Sequence, residues 1–200
     1  MAPPPKHRQP IIDAAVTLFR RNGFAGTGLN DLVEASGAPK GSLYHYFPNG
    51  KASIAVAAVE EAGRRVVETL SDLSTGTGTS AELITAYARL LGRWMIKSGF
   101  RDGCPMTTVL LELAPADRAV SKAGHDAYAT RIGFVRDRLI IEGVPEQRAQ
   151  NLAVLCISAL QGALIQSRVE RSAKPLETVA DELAHILNAA NAGSTGVSGK

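Results

Sequence analysis

Ala35-Ser36-Gly37-Ala38-Pro39-Lys40-Gly41-Ser42-Leu43-Tyr44-His45-Tyr46-Phe47 reads as a tight turn feeding a short helix crowded with groups that contact phosphates and base edges. Ser36-Gly37 supplies the turn, because glycine tolerates a positive φ, and Pro39 suits the first position of the next helix, where a missing N–H costs little. Leu43 and Phe47 stand four apart and share a face able to dock on a small core, while Lys40, Ser42, Tyr44, His45 and Tyr46 fill the remaining positions. Taken singly, each tyrosine reads equally well as a core residue of a helical hairpin. The preceding element favours a reader of DNA. Thr27 can cap a helix through Leu29, Leu32 and Val33 that enters the Ser36-Gly37-Ala38 turn, and two short helices joined through glycine are the helix-turn-helix pattern.

Charge points the same way once it is divided along the chain. The net charge is only +3, yet residues 1–51 hold six basic side chains against three acidic ones, and residues 52–200 hold sixteen of each sign. The excess therefore sits in the reader, where a positive field attracts phosphate and makes affinity fall with salt. A solvated charged face is the plainer reading of so small an excess. Lys40 and Lys51 are the residues expected at phosphates, Lys51 because it follows Asn49-Gly50 at the start of a long helix, whose amides and dipole favour an anion. Thr27 adds a hydroxyl or nearby amides. Lys6 and Arg8 precede the first helix as an arm that is either solvated or laid along the DNA.

Hydrophobic residues make up 45% of the 200 positions, enough to bury a proper core, and their spacing is helical almost throughout. Ile12, Ala15, Val16 and Phe19 form a buried stripe closed by Gly23, and a long helix is expected from about Lys51 to Leu73. Ser74-Thr75-Gly76-Thr77-Gly78-Thr79-Ser80 then breaks the pattern as a surface loop. Further helices are expected near 81–98, 105–113, 116–143, 145–172 and 176–192, so the fold class is all-α. The segments around Pro3-Pro4-Pro5 and from Gly193 to Lys200 bury nothing and read as loose tails. No signal-peptide pattern and no apolar run near a membrane span of about 20 residues is seen, which predicts a cytoplasmic protein without a membrane partner.

Residues 11–54 resemble the DNA-binding domain of the TetR family of bacterial repressors. Ile11-Ile12-Asp13-Ala14-Ala15, Leu18-Phe19 and Gly23-Phe24 correspond to its first helix, Thr27 to Ala35 to its second, and Lys40 to Phe47 to its recognition helix. Ala38-Pro39-Lys40-Gly41-Ser42-Leu43-Tyr44, Phe47-Pro48-Asn49-Gly50-Lys51 and Gly103-Cys104-Pro105 are similar to the subgroup that includes the lincomycin-resistance repressor. The resemblance implies that Tyr44, His45 and Tyr46 face phosphates and base edges. Gly41 then permits close approach, and Pro39 and Ser42 touch thymine methyls or base edges, Pro39 only through apolar contact.

It also implies a three-helix reader at 1–54, a helical effector-binding and dimerisation domain at 55–192, and a tail at 193–200. Leu152, Leu155, Cys156, Ala159, Leu160, Ala163 and Leu164, then Leu176, Val179, Leu183, Ile186 and Leu187, recur every three or four positions. Such a helix pair either covers the monomer's own core or, as in the family, builds a four-helix dimer interface. A homodimer would space two readers to fit a palindromic operator.

The implied effector pocket draws on Tyr87, Leu91, Trp94, Met95, Phe100, Cys104, Met106, Leu110, Tyr128 and Phe134, with Thr107, Thr108 and Gln161 as hydrogen-bonding partners. The same residues also read as ordinary helical core. The expected ligand is a small, flat, largely apolar organic compound. The rival readings use Cys104, as a redox-sensing thiol on a DNA-binding regulator or as an enzymatic nucleophile with His125 as base. No orienting third group accompanies that pair, and the scattered His7, His45, His125 and His185 offer no metal spacing, so no catalytic residue, metal or cofactor is expected.

Overall fold

The computed structural model describes residues 6–195, with side chains through residue 192. Nine helices make up the described chain, with no strand: α1 (Arg8–Asn22), α2 (Leu29–Ser36), α3 (Lys40–Tyr46), α4 (Lys51–Ser74), α5 (Ser80–Lys97), α6 (Pro105–Leu113), α7 (Arg118–Ile141), α8 (Glu146–Glu170) and α9 (Lys174–Thr195). The expected N-terminal tail lies outside the described residues, as do 196–200, and α9 runs three residues past the helix end expected at 192.

The chain divides into two compact units that differ from the expected 1–54 and 55–192 division. The first comprises residues 1–65 with 104–128, and the second 66–103 with 129–200. In the first, α1 packs on α2, α3 and α6. Phe19, Leu32, Leu43, Phe47, Ile54, Met106, Val109 and Val120 share its core, so α6 and the first half of α7 belong with the helix-turn-helix. The reason is apolar area. The helices of residues 8–46 are too short to close a core, and each further large aliphatic side chain buried there contributes about 1.5–3 kcal/mol.

Local signals set the element ends. α1 stops at Gly23, whose φ of 76° few other residues adopt, and the Gly23 amide returns to Phe19 O at 3.0 Å. α2 stops at Gly37 in the left-handed conformation, and Ser36 Oγ accepts from the Ala38 amide to finish the turn. Two expectations about caps are corrected. Gly28, not Thr27, is the N-cap of α2, with the Asp31 carboxylate accepting from the Gly28 amide at 2.8 Å. Thr27 is wholly buried and spends its hydroxyl on Gly23 O at 2.8 Å. Pro39 keeps an extended ψ of 140° and precedes α3 as its N-cap instead of entering it. Arg8 is likewise the first residue of α1, not part of an arm before it.

In the second unit α5 packs on α8 and α9, which pack on each other. Thr79 and Glu82 form a capping box at the start of α5. Glu142, near the end of α7, accepts from the Ser80 amide and hydroxyl, both at 2.6 Å, and from Asn191 Nδ2 at 2.8 Å, tying three elements through one carboxylate. The expectation of no membrane-length helix needs correcting for α8, which is long and apolar enough by length and composition. Its apolar residues divide between a side buried on α5 and α9 and an exposed stripe.

Candidate nucleic-acid interface

α3 is seven residues long and is held by its apolar side. Leu43 is wholly buried and Phe47, its C-cap, nearly so, while the Arg8 guanidinium lies 5.7 Å from the Phe47 ring centroid. The opposite side is open. Pro39, Lys40, Gly41 and His45 are exposed, Tyr44 retains 48% of its surface, and Ser42 is half-buried. A Cβ at Gly41 would meet nothing within 4 Å, so the backbone of that face is bare. Tyr46 differs from its expected neighbours: it packs partly on the core, with its ring edge-on to His45 at 4.9 Å between centroids.

Lys51 also departs from expectation. Its ammonium turns inward, donating to Phe24 O at 2.8 Å and Thr27 O at 2.9 Å and standing 4.2 Å from the Phe24 ring centroid. Two donors are therefore committed to the turn between α1 and α2. The amides of that turn are held by α6: Glu112 accepts from Phe24 N at 2.8 Å and Ala25 N at 2.6 Å. Sequence reasoning missed Glu112. Nothing local marks it, since its partners lie 87 and 88 residues away. The start of α1 is fastened to α4 by the ion pair of Asp13 with Arg65 and by Gln9 Nε2, which donates to Glu61 at 3.2 Å, while Glu61 is paired within α4 to Arg64 and Arg65. The Arg64 guanidinium, bonded to both Glu61 oxygens, holds that carboxyl below its ordinary pKa of 4.5; burial opposes the shift and Arg65 adds to it.

The residues expected around an effector fall into both units. Cys104, Met106, Thr107, Leu110 and Tyr128 belong to the first, where Met106 is fully buried core. Tyr87, Leu91, Trp94, Met95, Phe100, Phe134 and Gln161 belong to the second. There Tyr87 and Met95 are buried, Leu91, Phe100, Phe134 and Gln161 half-buried, and Trp94 is exposed. Phe100 follows Gly99, and both are left-handed, with φ of 61° and 62°. Cys104 and Cys156 are not joined in a disulfide; burial pushes the pKa of Cys156 up to about 12, leaving it an inert apolar group.

The residues expected at a dimer interface are sorted by burial. Leu152, Leu160, Ala163, Leu164, Leu183 and Leu187 are buried within their own unit, and Ala159, Val179 and Ile186 are half-buried. Only Leu155 of the set is exposed, at 43%. It joins Val154, Ile165 and Val169 in an exposed apolar stripe along α8, with Ser158 and Gly162 between them.

Comparison with known proteins agrees with this architecture. The pattern of "Bacterial regulatory proteins, tetR family" matches residues 11–58, and that of "Transcriptional regulator LmrA/YxaF-like, C-terminal domain" matches residues 80–182. The chain is 33% identical over 185 residues to the uncharacterized HTH-type transcriptional regulator Rv0196 of Mycobacterium tuberculosis, covering 90% of this chain and 93% of that protein. To the HTH-type transcriptional regulator LmrA of Bacillus subtilis it is 30% identical over 169 residues, covering 84% and 90%. The crystal structure of Escherichia coli NemR in its reduced form superimposes with a TM-score of 0.75 at 26% identity, covering 88% and 94%. With its helix-turn-helix, its basic reader and these relatives, the chain belongs to the TetR family of DNA-binding transcriptional regulators, with an LmrA/YxaF-like C-terminal domain, and is not an enzyme.

Proposed function

We propose that this regulator is a cytoplasmic repressor that binds a palindromic operator as a homodimer and is released by a small, largely apolar organic effector. One observation carries the DNA-reading half: α3 buries Leu43 and Phe47 while Lys40, Tyr44 and His45 point outward beside a bare Gly41 backbone. Lys40 serves phosphate, Tyr44 and His45 serve phosphates and base edges, and Pro39 and Ser42 serve thymine methyls or base edges. Tyr46 and Thr27 support the reader from within, and Lys51 holds the turn that leads into α2.

The dimer uses the stripe of Val154, Leu155, Ile165 and Val169, because apolar groups of this size aligned on one exposed helix face mark an association site and Gly162 permits close approach. The effector site rests on the second unit's apolar set around Tyr87, Met95, Phe100 and Phe134, with Gln161 as hydrogen-bonding partner. An effector shifts the equilibrium only by its differential affinity for the operator-bound and released forms. α4, which passes unbroken from the first unit into the second, is the lever.

The test is selection of duplexes from a random-sequence pool, followed by a screen for compounds that dissolve the complex. A repressor of this kind enriches an inverted repeat and is released by aromatic or polycyclic organic molecules. Enrichment of no sequence, or a bound complex that no such compound releases, contradicts the proposal.

A further inference from the structure

The turn between α1 and α2 is gripped from two sides within the first unit. Glu112 of α6 takes the amides of Phe24 and Ala25, and Lys51 of α4 takes the carbonyls of Phe24 and Thr27. The peptides of Phe24 thus meet an anion at the N–H and a cation at the C=O, each aligned with the peptide dipole. Gly23 is part of the grip. A Cβ there would collide with the Glu112 carboxylate, so its glycine serves both the positive φ and the approach of α6. A second attachment lies one turn earlier on α6, where Thr108 Oγ1 donates to Phe19 O at 3.0 Å, the same carbonyl that closes α1.

Glu112 is exposed and lies far in sequence from the residues it holds, and no core packing calls for a carboxylate at this position. Its two acceptors satisfy amides that would otherwise need water. They also hold the turn that leads into α2, and α2 carries the Gly37 turn that aims α3. The chain enters α6 directly from the second unit, whose first segment ends at Gly103. α6 is therefore attached at its start to the second unit's chain and at its last turn to the turn ahead of the reading helices.

We propose that Glu112 is a positioning residue for operator recognition, coupling α6 to α2 and α3 through the amides of Phe24 and Ala25. The inference rests on the DNA-reading role of α3. Charge alone predicts the opposite effect, because removing an anion from a basic DNA-binding unit strengthens phosphate attraction.

The experiment compares the full-length protein with Glu112→Ala and Glu112→Gln on a duplex selected by the wild type and on a scrambled duplex of equal length. Amide hydrogen exchange is followed without DNA. Positioning predicts tenfold or greater loss of affinity for the selected duplex in the alanine variant, little change on the scrambled one, and faster exchange confined to Phe24, Ala25 and the start of α2. Glutamine keeps one acceptor but presents an NH2 group to the other amide, so it falls between the two. Wild-type or better affinity for the selected duplex in the alanine variant overturns the proposal, as does an equal loss on both duplexes. Should the alanine variant unfold, the glutamine variant decides by the same readings. A wild type that selects no duplex sinks the DNA-reading role itself and this proposal with it, whatever the exchange data show.

Discussion

The Lys51 ammonium lies 2.8 Å from the Phe24 carbonyl oxygen and 4.2 Å from the centroid of the same residue's ring, so one side chain holds both the backbone and the face of Phe24. Charge-assisted hydrogen bonds contribute about 1.5–3 kcal/mol each at best, and an exposed cation–π contact roughly 0.5–1 kcal/mol. Lys51 is half-buried, so solvent screening keeps the hydrogen bonds below that best case. Lys51→Met is expected to lower stability by about 1–3 kcal/mol in urea or thermal unfolding. If the side chain acts mainly as this clamp, operator affinity drops but the slope of log affinity against log salt stays as in the wild type. A phosphate contact would lower that slope by about one unit, with little effect on stability.

Lys40 should behave in the reverse manner. Its side chain is exposed on α3, so Lys40→Ala is expected to leave stability within about 0.5 kcal/mol and to reduce the salt slope by roughly 0.9. Binding assays across a salt series and unfolding of the same preparations read both quantities.

The two sides of α8 separate association from folding. Ile165→Asp, at a position 53% exposed, is expected to leave a folded monomer with the helical content of the wild type, whose unfolding midpoint no longer depends on protein concentration, seen by sedimentation velocity and circular dichroism. Leu160→Asp buries an unpaired charge on the opposite side and should cost upward of about 3 kcal/mol of stability. A monomeric wild type would contradict the interface assignment.

Glu142 gathers donors from Ser80 and Asn191, and Ser80 is fully buried. Glu142→Ala leaves those donors without their acceptor, at about 1–3 kcal/mol for a buried one, and the loss should appear in urea unfolding of the whole chain.

Acid should weaken the ion-pair cluster that Glu61 forms with Arg64 and Arg65 on α4. The folded pKa of Glu61 is lowered, so its ionised form contributes stability above the ordinary value of 4.5, and this is lost as pH falls through the depressed folded value. The stability gap between wild type and Glu61→Gln should therefore be widest near neutrality and close on acidification below about pH 4.5, measured by unfolding across that range.

The reader was legible because its signals are local. Gly23 and Gly37 both take the positive φ that suits a glycine closing a helix, and Leu43 and Phe47 bury as their four-residue spacing required. Thr27 misled because the same residue type that caps helices also bonds backward to a carbonyl, and Gly28 beside it meets the N-cap geometry without strain. Lys51 and Glu112 were hidden for another reason: their partners are distant in sequence, and no pattern in one segment reveals a bond to another. α8 was half legible. Apolar residues cover nearly all of its circumference, so periodicity could not separate Leu152 and Leu160, which face the core, from Val154 and Ile165, which face out. Similarly, nothing within residues 105–113 announces that this helix completes the reader's core.

The central claim is that the exposed side of α3 reads base edges, and Tyr44→Ala tests it most directly. Affinity of the variant and the wild type is compared on the selected operator and on scrambled duplexes at several salt concentrations. Operator reading by α3 predicts that Tyr44→Ala folds and dimerises normally but loses most of its preference for the operator. A variant that keeps the full wild-type preference would place sequence recognition elsewhere on the molecule.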